Sequence, residues 1–192
     1  MSVATHQARS PGHHLQLAQW ALVSSELSTY QTSLGSVGAN VEGWALYAER
    51  LMDELGYFTD PGERLGFLDA QQLRSVRVVI DIGMHLGLPI PDDAEGALAE
   101  HRGRPWTPDL ARAFLGEYSG ADLAFLDSEL VRYLGIPGQA ISYKLGERAW
   151  LAGREAARKA RGDTFSLKEW HMAALSLGSL GLDDLADELA QL

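Results

Sequence analysis

Three residues in the first quarter of the chain have the chemistry of zinc ligands: His6, His13 and Glu42. Zinc takes neutral imidazole nitrogens and carboxylate oxygens, usually three protein donors plus a water where it does chemistry. Such a centre makes water nucleophilic near neutral pH and suits hydrolysis of a carbonyl. The spacing sets conditions. His6 and His13 stand seven residues apart, which on an unbroken helix puts them on one face but ~10.5 Å apart, too far for one ion. Pro11-Gly12 lies between them, so the helix must be distorted there or start there, and the two rings could be drawn together. His14 points about 100° away from His13 and is not a co-ligand in the same simple geometry. A His-His pair beside Pro-Gly is equally what an ordinary helix start looks like. Glu42 adds weight to the metal reading. It opens the next helical stretch beside Gly43, which permits close approach, with Trp44 and Tyr47 as a rigid aromatic wall.

Those residues need rods to hold them, and the periodicity is helical almost throughout. The pattern predicts a helix over about 12–32, then one capped by Asn40 and stopped by Gly56. A long helix follows from Pro61 to about Leu86, and a short one over 92–102. Thr107-Pro108 caps the next, to Glu117. Helices over 121–134 and from Pro137 to Arg161 come next, then a final pair from Ser166 to Leu192. Leu65, Leu68, Leu73, Val76, Val79 and Ile80 are expected to form one core stripe, and Leu145, Ala149, Ala152 and Ala156 another. The expected fold is all-α, a compact multi-helix bundle, as one domain over residues 1–192.

Composition narrows the function. The net charge of −10 and the lack of a Lys/Arg cluster exclude a general nucleic-acid binder. No apolar run approaches the ~18–20 residues of a membrane span. There is no cysteine, which rules out disulfides and thiolate metal sites and fits a reducing compartment. No basic, apolar leader opens the chain, and a cytoplasmic location is expected.

Further polar groups sit at helical spacings. Arg77, Asp81 and His85 share a face at i, i+4, i+8, either as an ion-pair ladder or with Asp81 orienting His85 for proton handling. Gln139 and Tyr143 are i, i+4, with Lys144 adjacent. A phenol and a cation there would stabilise the oxyanion formed on a carbonyl, or Tyr143 is simply half-buried with its hydroxyl at the surface. Arg132 either grips a substrate carboxylate or pairs with Glu129 or Asp127. His171, beside Trp170, reads as an interface histidine or as a functional one.

Taken together, Pro11-Gly12-His13-His14-Leu15-Gln16, the run Glu42-Gly43-Trp44-Ala45-Leu46-Tyr47-Ala48-Glu49 and the run Arg77 to His85 closely resemble the DUF885 family. Arg132-Tyr133, the run Pro137 to Gly146 and Trp170-His171 extend the resemblance, in order, along essentially the whole chain. These are bacterial helical proteins grouped with gluzincin-type metallopeptidases, about three times as long, and this chain resembles their C-terminal, catalytic part. The resemblance implies zinc held by His13, Glu42 and His6. It also implies that Asp81 and His85 lie near the site, with Tyr143 and Arg132 handling oxyanion or substrate, and a peptide or amide as substrate. The chain departs from the family's His-Glu-x-x-Pro-Gly-His-His motif. Gln7 and Ala8, or with one inserted residue His6 and Gln7, stand where His-Glu is expected. An amide positions water but takes no proton, and losing a general base costs typically ~10²–10⁴-fold in rate. A non-catalytic helical module binding a peptide or protein partner is therefore the alternative expectation. A third is an assembly role, in which an apolar face left uncovered is buried in a homo-oligomer.

Overall fold

The computed structural model describes residues 11–192. His6 and Gln7 lie outside the described residues. The helices are α1 (His13–Leu22), α2 (Thr29–Ser33), α3 (Gly38–Glu54), α4 (Pro61–His85), α5 (Pro108–Tyr118), α6 (Leu123–Gly135), α7 (Ser142–Arg161), α8 (Leu167–Ser176) and α9 (Leu182–Gln191), with 3₁₀ turns at Gly96–His101 and Gly162–Thr164. Among the described residues there is no strand, only an isolated bridge between Pro89 and Pro105. The all-α expectation holds. Contacts group the chain into two units, one made of residues up to Arg64 together with Ser142–Leu192, the other of Leu65–Ile141.

In the first unit α3 and α7 form the central pair, with α9 on α7 and α1 against α3 and α8. The α3–α7 crossing is set by two glycines. A Cβ added to Gly43 would lie 2.4 Å from the Gly146 Cα, and one added to Gly146 would lie 1.9 Å from the Ala39 carbonyl oxygen. No side chain fits between these backbones, which is why both positions are glycine. Around the crossing Trp44, Tyr47, Trp150 and Trp170 form an aromatic core. Two of its indoles are used: Trp44 Nε1 donates to the carbonyls of Pro11 (2.9 Å) and Gly12 (3.2 Å), and Trp170 Nε1 to Leu189 (3.1 Å).

The second unit packs one face of α4 (Leu73, Val76, Ile80) against Ile90, Trp106, Leu115, Leu126 and Leu130. The expected stripe on α4 is in fact two stripes. Leu73, Val76 and Ile80 are buried, whereas Leu65, Leu68 and Val79 are exposed, with Leu86 continuing their line. At 100° per residue these four fall within about 60° of one another. On α7 the expected stripe is also displaced. Leu145, Ala152 and Ala156 face solvent, and Gly146, Glu147, Trp150, Gly153 and Ala157 are buried. Close helix packing selects the glycines, and hydropathy gives no credit for them.

Other boundaries move for identifiable reasons. The helix expected over 12–32 breaks after Leu22 and restarts at Thr29. There the Ser28 side chain accepts from the Gln31 N–H (3.3 Å) and the Gln31 side chain accepts from the Ser28 N–H (3.1 Å), a reciprocal cap. Asn40 is not a cap. It is buried inside α3, where Oδ1 accepts from Gln16 Nε2 (3.0 Å) and Nδ2 donates to the Leu180 carbonyl (3.4 Å). The expected 92–102 helix shrinks to the 3₁₀ turn. The helix expected from Pro137 begins at Ser142, because Gly138 takes φ +79° and turns its N–H to Asp81 Oδ2 (3.0 Å).

Candidate functional site

The sequence candidates fall into two groups, each within one unit. In the first unit, α1 begins at His13, directly after Pro11-Gly12, and Glu42 lies in the first turns of α3. His13 Nε2 stands 3.2 Å from Glu42 Oε2, with both side chains about a fifth exposed (23% and 20%). Two geometries give separations near this one. A direct N–H···O bond spans ~2.7–3.2 Å. Two donors ~2.0–2.2 Å from a common tetrahedral ion sit roughly 3.3–3.4 Å apart. The pair is compatible with either, as a direct ion pair or as one half of a zinc donor set. Among the described residues no group of three or more His, Asp or Glu side chains could hold an ion, so a third donor would have to come from His6 or from outside these residues. His13 Nδ1 is buried with no hydrogen-bond partner among the described residues. The acceptor that ordinarily orients a zinc-bound imidazole is thus not supplied by them. His14 is exposed, as its angular position requires.

Tyr143 lies in the first turn of α7, half-buried. It precedes Gly146 by three residues, and Glu42 precedes Gly43 by one. Since the two glycines mark the crossing, Tyr143 and Glu42 both lie within about one turn, ~5 Å along the axis, of the same point. Lys144 is used within the fold: its Nζ donates to Glu147 Oε2 (3.0 Å), and Arg50 Nε donates to Glu147 Oε1 (2.8 Å). Glu147 is thereby buried between two cations.

In the second unit, Arg132 does not present an open fork. Its Nε and Nη2 donate to the two carboxylate oxygens of Glu129 (3.1 and 2.8 Å), and Nη1 bonds Gln139. Of the two expectations for Arg132, this geometry supports pairing with Glu129; Asp127 pairs instead with Arg112 (2.5 Å). Arg77 bonds the same Glu129 and donates from Nε to the Tyr133 hydroxyl (2.6 Å), which in turn donates to Glu129 Oε2 (2.7 Å). Burial would raise the Glu129 pKa, but Arg132, Arg77 and the Tyr133 hydroxyl outweigh it and hold it at about 2. Burial and Glu129 push the Tyr133 phenol up.

Asp81 and His85 are brought together, with His85 Nε2 3.2 Å from Asp81 Oδ1 and 3.0 Å from the Tyr133 carbonyl oxygen. A carbonyl only accepts, so Nε2 carries the hydrogen. Asp81 also accepts the Gly138 N–H. The pair therefore fixes the 136–141 turn to the end of α4. The ladder over Arg77, Asp81 and His85 is realised only in its second half.

One polar system goes beyond the sequence candidates. On α3 and α7, Arg154 donates from Nη1 and Nη2 to the two oxygens of Glu54 (2.8 and 3.1 Å), and from Nη1 to the Tyr47 hydroxyl (3.1 Å). The Tyr47 oxygen thus accepts, and since no other acceptor faces its hydroxyl among the described residues, its hydrogen is assigned to His171 Nε2 (2.7 Å). This makes His171 the neutral tautomer with hydrogen on Nδ1. Burial foremost, then the Arg154 charge, lowers the His171 pKa to about 4. Burial raises the Tyr47 phenol to about 12 against the pull of Arg154. Glu54 follows Tyr47 by seven residues, two turns on the same face, and that spacing is the signal the sequence offers.

A family model described as "Bacterial protein of unknown function (DUF885)" matches residues 1–189, and the chain belongs to that family. Among solved structures it is similar to a Colwellia psychrerythraea protein named as a putative lipoprotein, at 33% identity and TM-score 0.81. It is also similar to a Shewanella oneidensis protein named as a putative lipoprotein of unknown function, at 26% identity and TM-score 0.78. The matches cover 98% and 97% of this chain but only 29% and 31% of those proteins. The chain thus spans less than a third of their length. No curated protein matches it. Among the described residues no helix is long and apolar enough to cross a membrane.

Proposed function

We propose that this chain is a divalent-cation-binding, zinc-peptidase-like domain that holds a peptide or amide carbonyl and whose hydrolytic step is weakened. The observation that carries the reading is the 3.2 Å approach of His13 Nε2 and Glu42 Oε2 from successive long elements. His13 and Glu42 would hold the ion, with His6 as the third donor. A bound zinc would supply Lewis acidity toward the carbonyl and activate water. The Tyr143 hydroxyl, one turn from the helix crossing, would donate to the carbonyl oxygen as negative charge grows there. Gln7 can orient water through its amide but cannot accept its proton, so the rate falls by the ~10²–10⁴ a general base contributes. Within the second unit Arg132 is paired with Glu129, and Asp81 with His85 joins the 136–141 turn to α4; no chemical step is assigned to them. The absence of cysteine fits a reducing compartment such as the cytoplasm.

Chelator-stripped protein titrated with zinc, read by calorimetry and elemental analysis, tests the proposal. One zinc per chain is expected, weakened at least tenfold by Glu42→Ala and by His13→Ala. Gln7→Glu is expected to raise hydrolysis of a peptide library. No stoichiometric uptake at micromolar zinc refutes the metal site.

A second reading has an observation of its own. On α4, Leu65, Leu68 and Val79, with Leu86 beyond it, are exposed apolar side chains on one side of the helix, with the polar Gln72 and Ser75 between them. A non-catalytic module that buries this line against a protein partner or a second copy would use it directly.

A further inference from the structure

The first unit contains a pocket of about 400 Å³ that is separate from the His13–Glu42 pair. Pro11 and Leu15 line it from α1 and its approach, Trp44 from α3. Leu15 and Trp44 stand two residues from His13 and Glu42, about 200° around their helices, so the pocket opens on the far side of α1 and α3. Its depth is apolar and buried: Trp44, Leu51 and Leu175 are 1%, 6% and 2% exposed. Its rim is apolar and open, at Leu15, Leu55 and Met172. Pockets for small ligands have this volume and this mix, apolar walls with a few placed polar groups.

Two polar groups are placed here. His171 lines the pocket, and its Nε2 is engaged by Tyr47. The relay from Glu54 through Arg154 and Tyr47 therefore fixes the ring and leaves Nδ1–H as its donor. No hydrogen bond occupies that donor among the described residues. Lys168, one turn earlier on α8, stands at the same pocket. It is exposed, and no carboxylate pairs with it among the described residues. In a chain with three lysines and a net charge of −10, an unpaired ammonium at the mouth of an apolar pocket is a local reversal of sign. Three other cations of this unit, Arg50, Lys144 and Arg154, are paired with carboxylates.

We propose that this pocket binds an aliphatic monocarboxylate, with its chain among Leu15, Leu51, Leu55 and Met172 and its carboxylate on Lys168 and the His171 Nδ1–H. The opposite charge at the rim selects the acid over an amine. The apolar depth selects an aliphatic chain over a short acid such as acetate. The proposal is independent of the metal reading, since none of its residues is a proposed ligand.

The test uses the full chain and follows tryptophan emission, because Trp44 forms a wall of the pocket. Decanoate, decanol, decylamine and acetate are titrated below their aggregation concentrations. Saturable quenching by decanoate is expected, with decanol at least tenfold weaker and no saturation by decylamine or acetate. Lys168→Gln, at an exposed position where folding is not at risk, is expected to weaken decanoate about tenfold and leave decanol unchanged. Met172→Glu is expected to abolish saturation by both. An N-acetylated dipeptide ending in a free leucine carboxylate forms a further arm. Saturation by that dipeptide and not by decanoate overturns the proposal in favour of a peptide C-terminus. Equal affinity for decanoate and decanol, or no change with Lys168→Gln, overturns it as well.

Discussion

Acidification from pH 7 to pH 5 is expected to destabilise this protein through a single imidazole. His171 is held neutral between the Tyr47 hydroxyl and three indole or phenol rings, and its pKa falls from 6.5 to about 4. Because the folded value is the lower one, the unfolded chain takes up a proton below pH 6.5 that the folded chain refuses until pH 4. Stability is therefore complete above 6.5 and is lost as pH drops toward 4. The difference of about 2.5 units corresponds to roughly 3 kcal/mol over the full range, of which about 2 kcal/mol is lost by pH 5. Urea unfolding at steps between pH 8 and pH 4.5, followed by tryptophan emission, measures it. Four of the five tryptophans, Trp20, Trp44, Trp150 and Trp170, belong to the unit that carries His171. His171→Gln is the matched control, because the amide oxygen can still accept from Tyr47 but does not titrate. Its unfolding free energy is expected to be flat over the window where wild type slopes. A wild-type protein equally stable at pH 7 and pH 5, or a His171→Gln variant with the wild-type slope, would refute the placement of this ring.

Other outcomes follow from the same geometry. Gly146→Ala drives a Cβ into the Ala39 carbonyl and the Gly43 backbone, so its stability to urea should fall by at least the ~1–3 kcal/mol typical of overpacking. Glu129→Ala leaves Arg77 and Arg132 without their shared carboxylate and should cost about 3–5 kcal/mol in chemical denaturation. The same carboxylate, depressed from 4.5 to about 2, should contribute stability that is intact above pH 4.5 and disappears between 4.5 and 2, a window below that of His171. Val79→Glu paired with Leu65→Glu should abolish any concentration-dependent association seen by light scattering, if the exposed line on α4 is where chains meet.

Much of the fold is legible in the residues. The helices from Pro61 and Thr107, and the one after Ser166, start where proline or a capping side chain marks them. The approach of His13 to Glu42 is foreshadowed by Pro11-Gly12 and by Gly43. Several of the misses share a cause: each of these depends on a partner distant in sequence or in a neighbouring element. Asn40 has the composition of a cap, yet Gln16 and Leu180 claim it from inside the fold. Pro137 has the composition of a helix start, yet Asp81, 57 residues away, captures the turn. The α4 stripe looks single in the sequence because hydrophobicity does not say which of two apolar faces a neighbour will cover. Arg132 is open to two readings there, substrate clamp or ion-pair partner, because one sequence does not show that Glu129 is already shared between two guanidinium groups.

The bare contact between Gly43 and Gly146 has a mechanical corollary. Elsewhere in a protein interior, side chains act as compliant padding that reshuffles rotamers when one helix is tugged. Here there is no padding, so a pull on the carboxylate next to Gly43 is relieved only by shifting an entire rod. Such a shift would reach Trp150, one turn beyond Gly146, and the emission of that indole should register events at the His13 end of the molecule without touching them.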